Sequence, residues 1–157
     1  MRLLAVPLVL ALLAAPMRAQ EPHLAPNAPA DRPQNLDSVR WARLDSAMAP
    51  YIARARVTYP DAKRRYLAGL ASGESLFLTI RLVDSAGHRE QVFIAVDSIR
   101  GAAVFGKIWS HVALVQGYRY RQPYSFTEDR VLDWLISKPD GSEEGNFVGE
   151  FLDTYQP

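Results

Sequence analysis

Asp133, Glu143 and Glu144 are the carboxylates whose types and closeness in the chain come nearest to an acid–base set. A carboxylic acid kept protonated beside a partner base, roughly 5 to 9 Å away, is the apparatus that cleaves a glycosidic bond. Glu143 and Glu144, however, follow Asp140-Gly141-Ser142, a turn sequence, and turns are commonly charged and solvated. The residues from Gly101 to Ile108, GAAVFGKI, carry the glycine and lysine spacing of a phosphate-binding loop. That loop needs a hydroxyl for magnesium where Ile108 stands, and it needs a strand-to-helix turn where this stretch reads as strand.

Nucleophilic chemistry has little to work with. The chain has no cysteine, and neither a G-x-S-x-G elbow nor an S-x-x-K pair occurs. His88 falls in an expected hairpin turn and His111 just after an expected strand; no histidine spacing suits zinc. No catalytic residue, metal or cofactor is implied.

Aromatic residues give the positive signal. Trp109, Tyr118, Tyr120, Tyr124, Phe126 and Trp134 crowd into a short part of the chain. Strand alternation would put Tyr118, Tyr120, Tyr124 and Phe126 on one face and Arg119 and Arg121 on the other. Tyrosine offers flat apolar area with a polar tip, so such a face could grip a peptide or sugar, or fill a core. The candidate binding residues are Trp109, Tyr118, Tyr120, Tyr124, Asp133, Trp134, Glu144 and Asn146.

The elements that must position them fall in two blocks. Asp37 is a good helix cap, and Trp41, Leu44 and Met48 follow at helical spacing. Pro50 breaks this helix or opens a second, shorter one that continues the buried side with Tyr51 and Ile52. Thr58-Tyr59-Pro60-Asp61 reads as a further helix start, with Ala62, Tyr66, Leu67 and Leu70 facing inward. The period then changes. Leu76, Leu78, Ile80 and Leu82 alternate with Phe77, Thr79 and Arg81 as a half-buried strand. Strands from Gln91 to Val96 and Ala103 to Trp109 follow across turns at 84–88 and 97–101, too short for helical crossovers. Tyr118 to Phe126 is an edge strand, given Pro123. Thr127-Glu128-Asp129 makes a single helical turn, Asp133 to Ser137 is a fifth strand, and Asn146 caps a final helix weakened by Gly149.

The amino terminus adds an address. Arg2 precedes thirteen apolar residues, Leu3 to Ala15, broken only by Pro7; the small residues Ala14, Ala15 and Ala19 point to cleavage after Ala19, with Gln20 a close alternative. A membrane-spanning helix needs about 20 such residues; this run has the length and position of a cleavable secretory signal. Residues 1–19 are thus expected to be removed, leaving a periplasmic or secreted protein that does not stay in the membrane. Losing Arg2 and Arg18 from 18 basic residues, against 17 acidic, takes the formal net charge from +1 to −1, without the basic excess of a nucleic-acid binder. Residues 20–35 carry Pro22, Pro26, Pro29 and Pro33 and read as a disordered linker. Residues 36–157 have the length of one domain. With no disulfide available, its core alone must stabilise it. Basic residues dominate 32–65 and acidic ones 126–157. These blocks read as solvated faces lying near each other, or as a basic helical face for an acidic polymer.

From Tyr59 onward the sequence resembles the YegJ-like family of bacterial proteins (domain of unknown function 2314). The likeness rests on Ala55-Arg56-Val57-Thr58, the strand Leu76 to Leu82, Glu90 to Ile99 (EQVFIAVDSI) and Phe105-Gly106-Lys107-Ile108. It continues through Leu132-Asp133-Trp134-Leu135-Ile136, the turn at Asp140-Gly141, and Gly145-Asn146-Phe147. Tyr118 follows Gly117 where the family usually carries an acid. The resemblance implies a fold and an exported habit, but no activity.

The expected fold is therefore α+β: amino-terminal helices on a curved antiparallel sheet of about five strands, with a short carboxy-terminal helix. The expected role is a non-enzymatic binding or accessory module for a protein or cell-envelope partner. The alternative is a hydrolase of envelope polysaccharide or peptide working through Asp133, Glu143 or Glu144.

Overall fold

A computed structural model describes Glu21, Pro22, Leu24 and residues 35–155. The expected signal segment and most of the proline-rich linker lie outside the described residues.

The first helix, α1, runs unbroken over Ser38–Ala68 and contains both Pro50 and Pro60. At 1.5 Å per residue it is about 46 Å long. Asp37 caps it, accepting the Arg40 N–H at 2.9 Å. The expected break at Pro50 and new start at Thr58 do not occur. The buried stripe Trp41, Leu44, Met48, Ala55, Tyr59, Ala62 keeps one helical phase through both prolines, which stand on the exposed side. Each proline removes a donor from a solvent-facing turn, and packing of the stripe holds the helix together. Thr58 is no cap: its hydroxyl donates back to the carbonyls of Arg54 and Ala55. Leu67, expected inside, is 58 % exposed.

Among the described residues the sheet has six antiparallel strands, one more than expected: β1 Ser75–Val83, β2 Arg89–Arg100, β3 Ala103–Ile108, β4 Pro123–Thr127, β5 Asp133–Ser137 and β6 Glu143–Gly145. A 3₁₀ turn, Glu128–Arg130, precedes β5, and the chain ends in helix α2, Phe147–Thr154. Strand order is β4-β3-β2-β1-β5-β6. The first four form a meander, and β5 returns to the free side of β1, pairing Thr79 with Asp133 and Leu78 with Trp134. The expected turn at 97–101 is instead strand: a register shift between Val96 and Ser98 bulges Asp97 out and β2 continues to Arg100. Pro123 heads the edge strand β4, where a missing donor costs the sheet nothing.

Around β1 both faces of the sheet are covered, so β1 is buried on two sides, not one: Leu78 and Ile80 are fully buried, and so is Phe77, whereas Phe105, Ser125 and Thr127 leave the second face of β3 and β4 open. Burying each such side chain contributes about 1.5–3 kcal/mol. On one face Leu76, Leu78, Ile80, Val92, Ile94 and Trp134 meet Ala55, Tyr59 and Ala62 of α1. On the other, Arg81 and Gln91 meet the amino-terminal half of α1. Asp45 accepts two N–H groups of Arg81, whose guanidinium also lies 4.9 Å from the Trp41 ring centre. One helix thus serves both faces, and α2 completes the second layer by packing Val148, Phe151 and Leu152 with Trp41, Leu44 and Met48. Further along that second face, Phe77, Phe93, Ala95 and Leu135 form a separate apolar cluster under Trp109 and Leu24.

The two charge blocks do meet. Lys63 pairs with Glu128 at 2.7 Å, and Arg65 pairs with Glu144.

Candidate functional site

The connection from β3 to β4, residues 109–122, brings exposed Tyr120 and His111 beside Trp109; Tyr51 and Phe105 reach solvent elsewhere. Two carboxylates anchor the connection. Glu90, buried completely, accepts the N–H groups of Ala113, Leu114 and Val115 at 2.7 to 3.1 Å. Three successive amides on one carboxylate form a strong, charge-assisted cradle. Asp84 accepts the Gln116 N–H at 3.0 Å and also engages His88; these bonds, the Gln116 amide first, hold its carboxyl at about 2. Ser110 fixes the start of the connection, its hydroxyl oxygen accepting the Phe93 N–H at 2.8 Å.

On this frame Trp109 and Tyr120 meet with ring centres 5.4 Å apart, and His111 stacks on Tyr120 at 4.9 Å. The Arg121 guanidinium sits 5.4 Å from the Trp109 ring centre. Arg121 takes a left-handed backbone, φ 63°, a conformation that an arginine adopts only when its surroundings impose it. Here its N–H donates to the Ile108 carbonyl at 2.7 Å, and Ile108 N–H donates to Gln122. The result is a ledge of rings and one cation, with Tyr120 38 % exposed. Beside it opens a cleft of about 610 Å³ lined by Trp109, Arg121, Lys107, Tyr66, Glu21 and Pro22, among others.

The expected single strand face of tyrosines does not exist, because 118–122 is a turn and β4 begins only at Pro123. Tyr118 and Tyr124 pack edge to face at 5.9 Å against the main core. Arg130 lies over Tyr124 and donates to its hydroxyl at 2.9 Å. Only Tyr120 turns outward to Trp109. Arg119 and Arg121 share that turn and do not line an opposite face.

Asp133, Trp134, Glu144 and Asn146 lie elsewhere, where β5 and β6 meet α2. Asp133 is buried; its Oδ1 accepts the Trp134 N–H at 2.8 Å and its Oδ2 the Val148 N–H at 2.6 Å. Burial pushes this carboxyl up to about 7, against the downward pull of the Val148, Trp134 and Gly149 amides. Trp134 fills the core and donates its indole N–H to Thr58 at 2.9 Å. Glu144 is held by Arg65 and Lys138, and the Arg65 bond lowers its carboxyl. Asn146 precedes α2 with φ 61° but makes no side-chain cap bond. Its amide donates to Glu143 at 2.9 Å, and Asp133 supplies the cap in its place. Gly149, expected to weaken the helix, leaves room for Asn146: a Cβ would fall 2.1 Å from Asn146 Oδ1 and push that side chain aside. Glu143 is raised by burial, and its other oxygen has no hydrogen-bond partner.

No family model matches this chain, and neither a curated protein nor a solved structure matches it.

The side chains therefore carry the functional argument. Among the described residues, no three His, Asp or Glu are placed to hold a metal ion, and no helix is long and apolar enough to cross a membrane. Two members of the ledge, His111 and Arg121, were not candidates in the sequence. His111 stands two positions from Trp109, a spacing that could have joined it to the aromatic group. The left-handed turn at Arg121 has no sequence signature.

Proposed function

We propose that this chain is an exported, non-enzymatic binding module, similar in kind to the YegJ-like proteins, that holds a protein or cell-envelope partner on the Trp109–Tyr120 ledge. The observation that carries this reading is the ledge itself: exposed His111, Tyr120 and Arg121 gather around half-buried Trp109 on a loop held by Glu90, Asp84 and Ser110. Flat rings beside a guanidinium suit either a peptide or a sugar, because both offer apolar faces and hydrogen-bonding edges. A loop fixed in advance loses little further entropy when a ligand lands on it. The carboxylates that hydrolysis would need are engaged in structure: Asp133 by amides, Glu144 by two cations, and Glu143 by Asn146.

The test is an NMR titration of the isotope-labelled full chain with soluble peptidoglycan fragments and with a library of short peptides. Shifts centred on Trp109, His111 and Tyr120, weakened at least about tenfold by Trp109→Ala, are the expected result. Binding that maps elsewhere, or cleavage of any ligand in the tube, overturns it.

A further inference from the structure

The ledge borders the apolar cluster of Phe77, Phe93, Ala95 and Leu135 on the second sheet face. A short piece of the chain's own amino-terminal region lies on both. Leu24 packs against the cluster, Glu21 pairs with Arg121, and Pro22 joins Glu21 in lining the cleft beside Trp109. The Glu21–Arg121 contact joins residues a hundred apart in sequence.

We propose that the surface formed by Arg121, Trp109 and the neighbouring Phe77–Phe93 cluster is a docking groove for extended acidic–apolar peptides, and that its resident ligand is this chain's own Glu21, Pro22 and Leu24, two of which also wall the open cleft beside Trp109. The proposal rests on the binding reading above and names the partner chemistry of that same surface. The segment shows what the groove accepts: a carboxylate for Arg121, a proline beside the rings, and a branched aliphatic side chain three residues after the carboxylate. Pro22 favours an extended backbone, and aromatic-lined grooves take such peptides at low entropic cost. The charge fits as well. Lys107 is already 3.7 Å from Asp97, so Arg121, half exposed, is the lining cation that Glu21 engages. The Glu21 side chain is itself 76 % exposed, and a solvent-facing ion pair of this kind is weak. A partner with the same carboxylate–proline–aliphatic pattern can therefore displace the segment.

The experiment compares the full chain with its Glu21→Ala/Leu24→Ala variant, each titrated with a synthetic peptide of residues 20–35. Occupancy in cis reduces apparent affinity by the fraction of open groove. The variant should therefore bind the peptide at least about tenfold more tightly than the unaltered chain. Arg121→Ala in the same background should lose that gain. Contacts between the Leu24 methyls and the Phe77 or Phe93 rings should be visible in the unaltered chain and vanish with excess peptide. Equal binding by both proteins overturns the resident-segment proposal while leaving the ledge as a binding surface. Failure of the variant to bind the peptide overturns the groove. A concentration-dependent dimer that exchanges these segments overturns occupancy in cis.

Discussion

Asp133 caps a helix it does not belong to: its Oδ2 accepts the N–H of Val148, fifteen residues further on, at 2.6 Å. The residue at the ordinary capping position, Asn146, turns its amide to Glu143. The final helix is thereby fastened to the sheet through one carboxylate.

Asp133→Asn should show what that carboxylate contributes. Asparagine keeps one acceptor and presents an NH₂ group to an amide N–H, leaving a buried donor unpaired. Each buried group left unsatisfied costs about 1–3 kcal/mol. Urea unfolding at pH 5, where the folded group is protonated, should report a loss of about 2–3 kcal/mol, with an unchanged far-ultraviolet spectrum. A loss under about 0.5 kcal/mol would mean that the amides find another acceptor.

The same group sets a pH dependence of stability. Its folded value near 7 lies above the ordinary 3.8, so between those values the folded chain holds a proton that the unfolded chain has released. Stability from this site is full below about pH 4 and falls as pH rises through 7, by on the order of 4 kcal/mol. Glu143, raised by burial, acts in the same direction. Glu144, lowered by Arg65, acts in the opposite one and loses its contribution in acid. The difference in stability between the unaltered chain and Asp133→Asn should narrow from about pH 4 to pH 7 and stay constant above that. A difference constant throughout would remove Asp133 as the titrating group.

Gly145 and Gly87 separate backbone strain from steric contact. Both have positive φ, 91° and 85°. A Cβ at Gly87 meets nothing within 4 Å, whereas at Gly145 it would lie 2.2 Å from the Trp134 carbonyl oxygen. Gly87→Ala should cost about 1 kcal/mol, for the left-handed conformation alone. Gly145→Ala should cost roughly 2–4 kcal/mol, because β6 must move off β5. Thermal denaturation of the pair is the measurement, and equal costs would contradict the packing at Trp134.

Glu90→Gln tests how the ledge is held. The amide oxygen can keep one or two of the three N–H groups at 113–115, without the charge. Stability should drop by roughly 1–3 kcal/mol. Hydrogen exchange at Ala113, Leu114 and Val115 should quicken more than at β1 amides. Uniform quickening would show that Glu90 supports the whole fold and not the loop.

The sequence displays most of this architecture wherever burial is periodic. Alternation around Leu76–Leu82 located β1, and the five residues Asp133–Ser137 were legible as β5 to the residue. The prolines misled because a local rule was read without the stripe from Trp41 to Ala62, whose phase passes through them. Glu143–Gly145 has no strand character of its own; it pairs because Gly145 fits against Trp134. The ledge was half visible. Trp109 and Tyr120 stood out by type, but which tyrosines turn inward depends on the backbone at Arg121, which alternation does not encode.

The strand order carries a consequence for synthesis. β1 is the first strand to leave the ribosome and lies in the interior of the sheet, yet Thr79 meets its partner Asp133 only about fifty residues later. Until then a nascent chain has an open apolar edge and no finished tertiary unit. Closing the sheet is therefore an act of the nearly finished polypeptide, since its central strand waits for a neighbour made close to the end.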